Sequence, residues 1–222
     1  MRFRTLPLVL LSLACYAPPG ATAQAEAERR PANVISVAGA DWLERASRAE
    51  EDRPDLVIAA MKLKDGDVVA DVGAGTGYFT RRLARAVAPR GRVYANDVQP
   101  EMLELLRASV SKEKITNVIP ILGATADPRL PDSALDWILL VDVYHEFQEP
   151  KPMLARLREA LKPDGHVALV EYRAEGTSAS HIRREHRMTK DEVLSEWLPA
   201  GFRVVEVIES LPSQRLYIFA RE

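Results

Sequence analysis

From Val68 to Glu222, short β-branched and apolar runs alternate with amphipathic stretches, and no other feature of the chain narrows its fold as much. The series reads "DVVADVG", the helix "YFTRRLARAVA", "GRVYAND", the helix "PEMLELLRASVSK", "NVIPIL" and "ALDWILLVDV". It continues with the helix "KPMLARLREAL", "GHVALVEY", the helix "TKDEVLSEWLPA", "FRVVEVIES" and "RLYIFARE". Strands alternating with helices predict an α/β fold, a mostly parallel sheet covered on both faces. Only "LPSQ" separates the last two runs, too few residues for a parallel crossover, so they are expected to form an antiparallel hairpin at the sheet's edge.

Upstream, "DWLERASRAEEDRPDLVIAAMKL" carries apolar residues at helical spacing and is broken at Pro54. Two helices are expected, the first opening at a capping Asp41, the second running from about Pro54 to Met61.

Ligands in such sheets bind at the carboxyl ends of the strands, where strand order reverses. The first strand ends at Asp71-Val72 and is followed by "GAGTG", with Gly73, Gly75 and Gly77 at alternate positions. A turn without side chains lets a ligand lie against the main chain, and the helix start that follows presents unpaired amides. The dinucleotide fingerprint requires a small residue at its sixth position; counted from Gly73 that position is Tyr78, which disfavours a pyrophosphate loop. Asp97 closes the second strand twenty residues after Gly77, where an acid can accept hydrogen bonds from ribose hydroxyls. A ribose is therefore expected and a diphosphate is not.

From about Leu63 onward the sequence resembles the class I S-adenosylmethionine-dependent methyltransferases, through "DVGAGTG", "VYANDVQPEML", "LPDSALDWILLVDVYHEF", "LKPDGHVALVEY" and the closing hairpin. The resemblance implies a Rossmann-like sheet of seven strands and S-adenosyl-L-methionine as cofactor. It also implies that Gly73, Gly75 and Gly77 support the cofactor's methionine and ribose portions, that Asp97 binds the ribose, and that Asp71 helps hold the methionine amino end. Many relatives carry Gly-Asp-Ala after the third strand, with the aspartate facing adenine; here the segment is "LGATADPRLP" and Ala124 stands at that position. Thr125, Asp127 or main chain is left to read the adenine.

Methyl transfer is a displacement at carbon, so alignment and water exclusion carry most of the work, and a base is needed only if the acceptor must lose a proton. The stretch after the fourth strand, "LLVDVYHEFQEP", gathers Asp142, Tyr144, His145 and Glu146 at the expected cleft mouth. His145 is the candidate general base, because imidazole titrates near working pH; orienting the loop or stacking over the cofactor is the alternative. Asp142 is expected to touch the cofactor or cap the next segment, and Tyr144 to line the acceptor pocket or pack in the core.

In "HIRREHRM", residues His181, Arg183, Arg184, His186 and Arg187 form either a grip for an acidic acceptor or a solvated loop. His181 and His186 have only Glu185 nearby, and no metal site is expected. The first helices, with Trp42, Arg45, Glu50, Glu51 and Arg53, precede the core where the resemblance implies a lid; plain packing of Trp42 on the sheet edge is the alternative.

The first residues, "MRFRTLPLVLLSLACYAPPGATAQA", show Arg2 and Arg4, an apolar run, then Ala21-Thr22-Ala23, the layout of a secretory signal peptide cleaved after Ala23. The run is about half the ~20 residues of a spanning helix, so export, to a bacterial periplasm, is expected rather than a membrane span. Cys15, the one cysteine, falls inside this leader and only loosely fits a lipid-attachment site. The expected organisation is a signal peptide over 1–23, a helical extension or lid over 24–60, and a methyltransferase domain over 61–222. With 30 basic and 32 acidic residues, the chain has no general field for nucleic acid. A small-molecule acceptor is the expected partner. The competing reading is an extracytoplasmic module that binds the cofactor or a nucleoside without catalysis, prompted by the conflict between export and a cofactor made in the cytoplasm.

Overall fold

The computed structural model describes residues 30–222; the signal-peptide expectation, Cys15 and the first part of the expected lid lie outside the described residues. Three short helices come first, α1 (Ala40–Leu43), α2 (Arg48–Glu51) and α3 (Pro54–Met61). They are followed by β1 (Val68–Val72), α4 (Tyr78–Ala86), β2 (Arg92–Asp97), α5 (Pro100–Lys112), β3 (Val118–Leu122) and β4 (Leu135–Val141). The chain closes with α6 (Pro150–Ala160), β5 (Leu161–Arg173), β6 (Arg187–Met188), α7 (Lys190–Trp197), β7 (Phe202–Ile208) and β8 (Gln214–Arg221).

The strands form one sheet in the order β3-β2-β1-β4-β5-β8-β7, with β6 paired to β5. β1 pairs parallel with β2 and β4, β3 with β2, and β5 with β4, whereas β8 is antiparallel to both β5 and β7. The expected hairpin is present, with β7 at the edge and β8 inserted beside β5. An eighth strand, the two-residue β6, joins the seven expected; a piece that short carries no periodicity to read.

Successive residues of the central strands feed opposite layers, as the two-residue repeat of a strand requires. Ile138 and Leu140 of β4 pack with α6 and α7, around Leu154, Leu157, Val193 and Trp197. Leu139, between them, faces α3 and α4 with Val57, Met61, Phe79 and Leu83. Burial on both faces explains the nearly unbroken apolar spelling of "WILLV". Trp197 stacks on Phe219 of β8 with ring centroids 4.5 Å apart, tying the last helix to the hairpin.

The expected first helix is instead two single turns. Arg45 donates to the Trp42 carbonyl at 2.9 Å and Arg48 to the Leu43 carbonyl at 2.7 Å. These side chains satisfy the carbonyls at the end of α1 and stop it there. Asp41 lies in the first turn of α1 rather than at its cap, which is Gly39.

Candidate cofactor cleft

Strand order reverses between β1 and β4, so the crevice opens where Asp71-Val72, Asp97 and Asp142 end their strands. One cleft there is lined by Asp71, Gly73, Gly75, Asp97, Thr125, Asp142, Glu146 and residues of the N-terminal segment including Ile35, Leu43 and Arg48. It encloses ≈140 Å³. That is below the roughly 300–1,000 Å³ of ordinary small-molecule sites, because residues 34–48 cover its mouth. A separate open depression, lined by Glu50, Arg53, Asp55 and Arg82, shares no residue with it.

The glycine turn is braced by its own hydrogen bonds. Its amides are used within the protein: Gly73 and Ala74 donate to the Asn96 carbonyl, both at 2.9 Å, Gly77 to Ala74 at 2.9 Å, and Gly75 to the Asp97 carboxylate at 2.9 Å. The turn thus provides close approach rather than free donors. Gly73, at φ +74°, has no room for a side chain, since a Cβ would lie 2.4 Å from Val143 Cγ2. A Cβ on Gly75, at φ +54°, would come within 3.0 Å of Leu43 in the covering segment.

Asp71 is buried and accepts from the Thr80 hydroxyl at 2.6 Å. Burial pushes its pKa up to about 6, with Asp97 adding to the rise and Thr80 and Arg48 opposing it. Asp97 accepts from Gly75 N–H with one oxygen and from Gln99 N–H, at 2.9 Å, with the other. Burial raises its pKa too, against those same hydrogen bonds. Asp142, at φ +51°, accepts from Gln214 of β8 at 2.7 Å through Oδ2. Its Oδ1 is shielded from solvent and has no hydrogen-bond partner among the described residues. Burial, followed by Asp52 and Glu171, raises the Asp142 pKa well above the ordinary carboxylate value. Arg48 is the one basic residue of the lining; it pairs with Asp52 at 2.6 Å and lies over the Tyr78 ring at 4.4 Å.

Thr125 lines the cleft and donates to Glu149 at 3.2 Å, whereas Asp127 is engaged with the Arg129 amide at 2.7 Å. Tyr144 is fully buried against Phe147 and Trp197 and donates to Glu196, so of its two expected positions it takes the core one.

His145 requires a correction of place. It was expected at the cleft mouth, but it is 3% exposed and does not line the cleft. Its Nδ1 lies 2.6 Å from Glu171 and its Nε2 3.0 Å from Nδ1 of His186. Glu171, 1% exposed, also accepts the Tyr144 amide at 2.8 Å, which fixes the 3-10 turn carrying the histidine. The pairing of Tyr172 with Arg187 between β5 and β6 brings His186 to this position. His181 is exposed and apart from the cluster. Glu146 does reach the cleft, and burial lifts its pKa to about 7, with His145 opposing the rise. Of the basic loop, Arg184 is turned to the Arg187 carbonyl at 2.7 Å and to Glu192 at 3.2 Å.

The covering segment is tied to the turn. Glu44 accepts from the Thr76 hydroxyl at 2.6 Å and from Arg81 at 2.8 Å. Burial opposes ionisation of Glu44, but the hydrogen bonds from Arg81 and Thr76 outweigh it and hold its pKa below the ordinary value. Arg48, Glu44, Gln214, Glu171 and His186 were not singled out for these roles from sequence. Only the i, i+4 spacing of Arg48 and Asp52 was a local signal; the other partners are distant in the chain.

Residues 69–165 match the family profile described as a methyltransferase domain. A ubiquinone/menaquinone biosynthesis C-methyltransferase from Burkholderia cenocepacia is 29% identical over 117 residues, 53% of this chain and 48% of the relative. The chain thus spans about half the length of the curated relatives it matches. A SAM-dependent methyltransferase of Aquifex aeolicus superposes with a TM-score of 0.77 at 28% identity, covering 84% of this chain and 98% of that one. The [4+2]-cyclase SpnF shares the fold alone, with a TM-score of 0.65 at 17% identity over 88% of each chain. By sheet order, domain match and structural likeness, residues 69–165 form a methyltransferase domain of the class I S-adenosylmethionine-dependent type, and S-adenosylmethionine is the cofactor that such a domain takes. The cleft suits that cation, since four acidic residues, Asp71, Asp97, Asp142 and Glu146, face one basic residue, and Asp142 Oδ1 is an acceptor without a donor.

Proposed function

We propose that the protein transfers a methyl group to a small-molecule acceptor held over the carboxyl ends of β1 and β4. The observation that carries this reading is the acidic cleft beside the glycine turn, with an unpartnered acceptor on Asp142. S-adenosylmethionine, when bound, supplies an electrophilic methyl group on a sulfonium. Asp97 keeps lone pairs on both carboxylate oxygens for ribose hydroxyls beyond the two amides it already accepts. Asp71 and Asp142 would hold the ammonium end, and Thr125, which lines the cleft, would be available to the adenine. Residues 34–48 act as a lid, excluding water so that positioning and desolvation carry the transfer. No base is assigned, because His145 is buried and does not line the cleft.

SpnF shows the same fold under the name of a cyclase, so the fold alone does not fix methyl transfer as the reaction, and fold alone never separates an enzyme from a module that only binds. Titration calorimetry with S-adenosylhomocysteine, followed by a labelled-methyl transfer screen, makes the separation. Micromolar binding and label transfer are expected. Quinone rings head the screen because of the name borne by the Burkholderia relative. Binding without transfer to any acceptor favours the module, and no binding heat removes both readings.

A further inference from the structure

We propose that His145, His186 and Glu146 form a site for a divalent cation of the zinc class at the border of the cleft, with Glu171 as the residue that orients His145. Among the described residues these three side chains are the one group whose ligand atoms converge, all lying within 4.8 Å of one another. Two imidazoles and a carboxylate are the donors that catalytic zinc sites use when they keep a position open for a small molecule.

The two imidazoles already stand at a spacing that fits a shared ion, and Glu146 closes on it from within 4.8 Å. Ligand nitrogens about 2.0–2.1 Å from a common ion stand about 2.9 Å apart at a right angle and about 3.4 Å apart at the tetrahedral angle. His145 Nε2 and His186 Nδ1 are 3.0 Å apart. With its Nδ1 donating to Glu171 at 2.6 Å, His145 presents the lone pair of Nε2 toward His186, and the two rings share one proton across the gap. A cation at that point replaces the shared proton and requires only that His186 carry its own proton on Nε2. Glu171 is buried and anchored by the Tyr144 amide, the carboxylate-to-histidine support that metal-binding imidazoles characteristically have. Glu146 both belongs to the cluster and lines the cleft, so an ion there borders the space assigned to the acceptor, a consequence that rests on the methyltransfer reading.

The test is titration of the chelator-treated, purified chain with Zn²⁺ by calorimetry, and with Co²⁺ by visible absorption. One equivalent is expected to bind, Co²⁺ giving ligand-field bands. His186→Ala should weaken Zn²⁺ binding at least tenfold, and Glu171→Gln roughly ten- to a hundredfold, with thermal melts showing that both variants fold. His181→Ala, on the exposed histidine outside the cluster, should bind as the parent does. No uptake by the parent chain, or equal losses in His181→Ala and His186→Ala, overturns the site. S-adenosylhomocysteine titrations on the same metal-free samples report separately on the cofactor cleft, so failure of one reading is not mistaken for failure of the other.

Discussion

Asp97 is held in place by two backbone amides, so replacing it disturbs both the turn and the ligand contact. Asp97→Ala is expected to weaken S-adenosylhomocysteine binding by about 1–3 kcal/mol, the cost of lost charge-assisted hydrogen bonds. Calorimetry at parent-like affinity would remove the ribose assignment. Asp71 gives a pH test. Its pKa in the empty protein is raised to about 6, and the charges around it are Arg48, which opposes the rise, and Asp97, which adds to it. A bound ammonium favours the carboxylate and lowers that pKa, so binding below about 6 must release a proton. Affinity should therefore fall as pH drops through about 6, by up to about tenfold per pH unit from Asp71 alone; Asp142, Glu146 and Asp97, also raised, act in the same direction. An affinity that rises on acidification would contradict the placement of the ammonium. At this scale sequence showed the acids that end strands, because strand ends are visible as pattern changes. It hid Gln214 and His186, because their partners Asp142 and His145 lie far away in the chain and meet only through sheet pairing.

Among the elements, the covering segment is where a small change should have the clearest effect. Glu44→Ala removes the contacts to Thr76 and Arg81 and leaves the core strands untouched. Amides of residues 34–48 should then exchange with solvent markedly faster, and S-adenosylhomocysteine should bind several-fold more weakly. Unchanged exchange in that stretch would deny it the role of lid. The two halves of this region differ in how far the sequence describes them. Pro54 starts α3 and Met61 ends it as the spacing predicts, since proline suits the first turn. Residues 41–53 keep the same apolar spacing, yet Arg45 and Arg48 fold back on the carbonyls of α1, and side chain defeats period. Likewise "LPSQ" announced the antiparallel pair by its length alone, whereas the insertion of β8 beside β5 depends on long-range pairing that no local stretch encodes.

For the molecule as a whole, the sheet order places three aspartates at or just past strand ends around one opening, which makes the fold itself the source of the cleft's carboxyl-rich lining. Among the described residues no helix is long and apolar enough to cross a membrane. We carry export forward as a proposal based on the leader: N-terminal sequencing of the protein from the cell envelope should begin at Gln24, and a chain beginning at Met1 would contradict cleavage. The bond from Glu44 to Thr76 has a further consequence at this level. The roof of the cleft is fastened to the glycine loop beneath it, so on the proposed reading whatever is seated between the two is retained until that fastening opens. On that reading Glu44→Ala should also hasten dissociation of S-adenosylhomocysteine, which stopped-flow fluorescence would measure, and an unchanged off-rate would deny the fastening any part in retention.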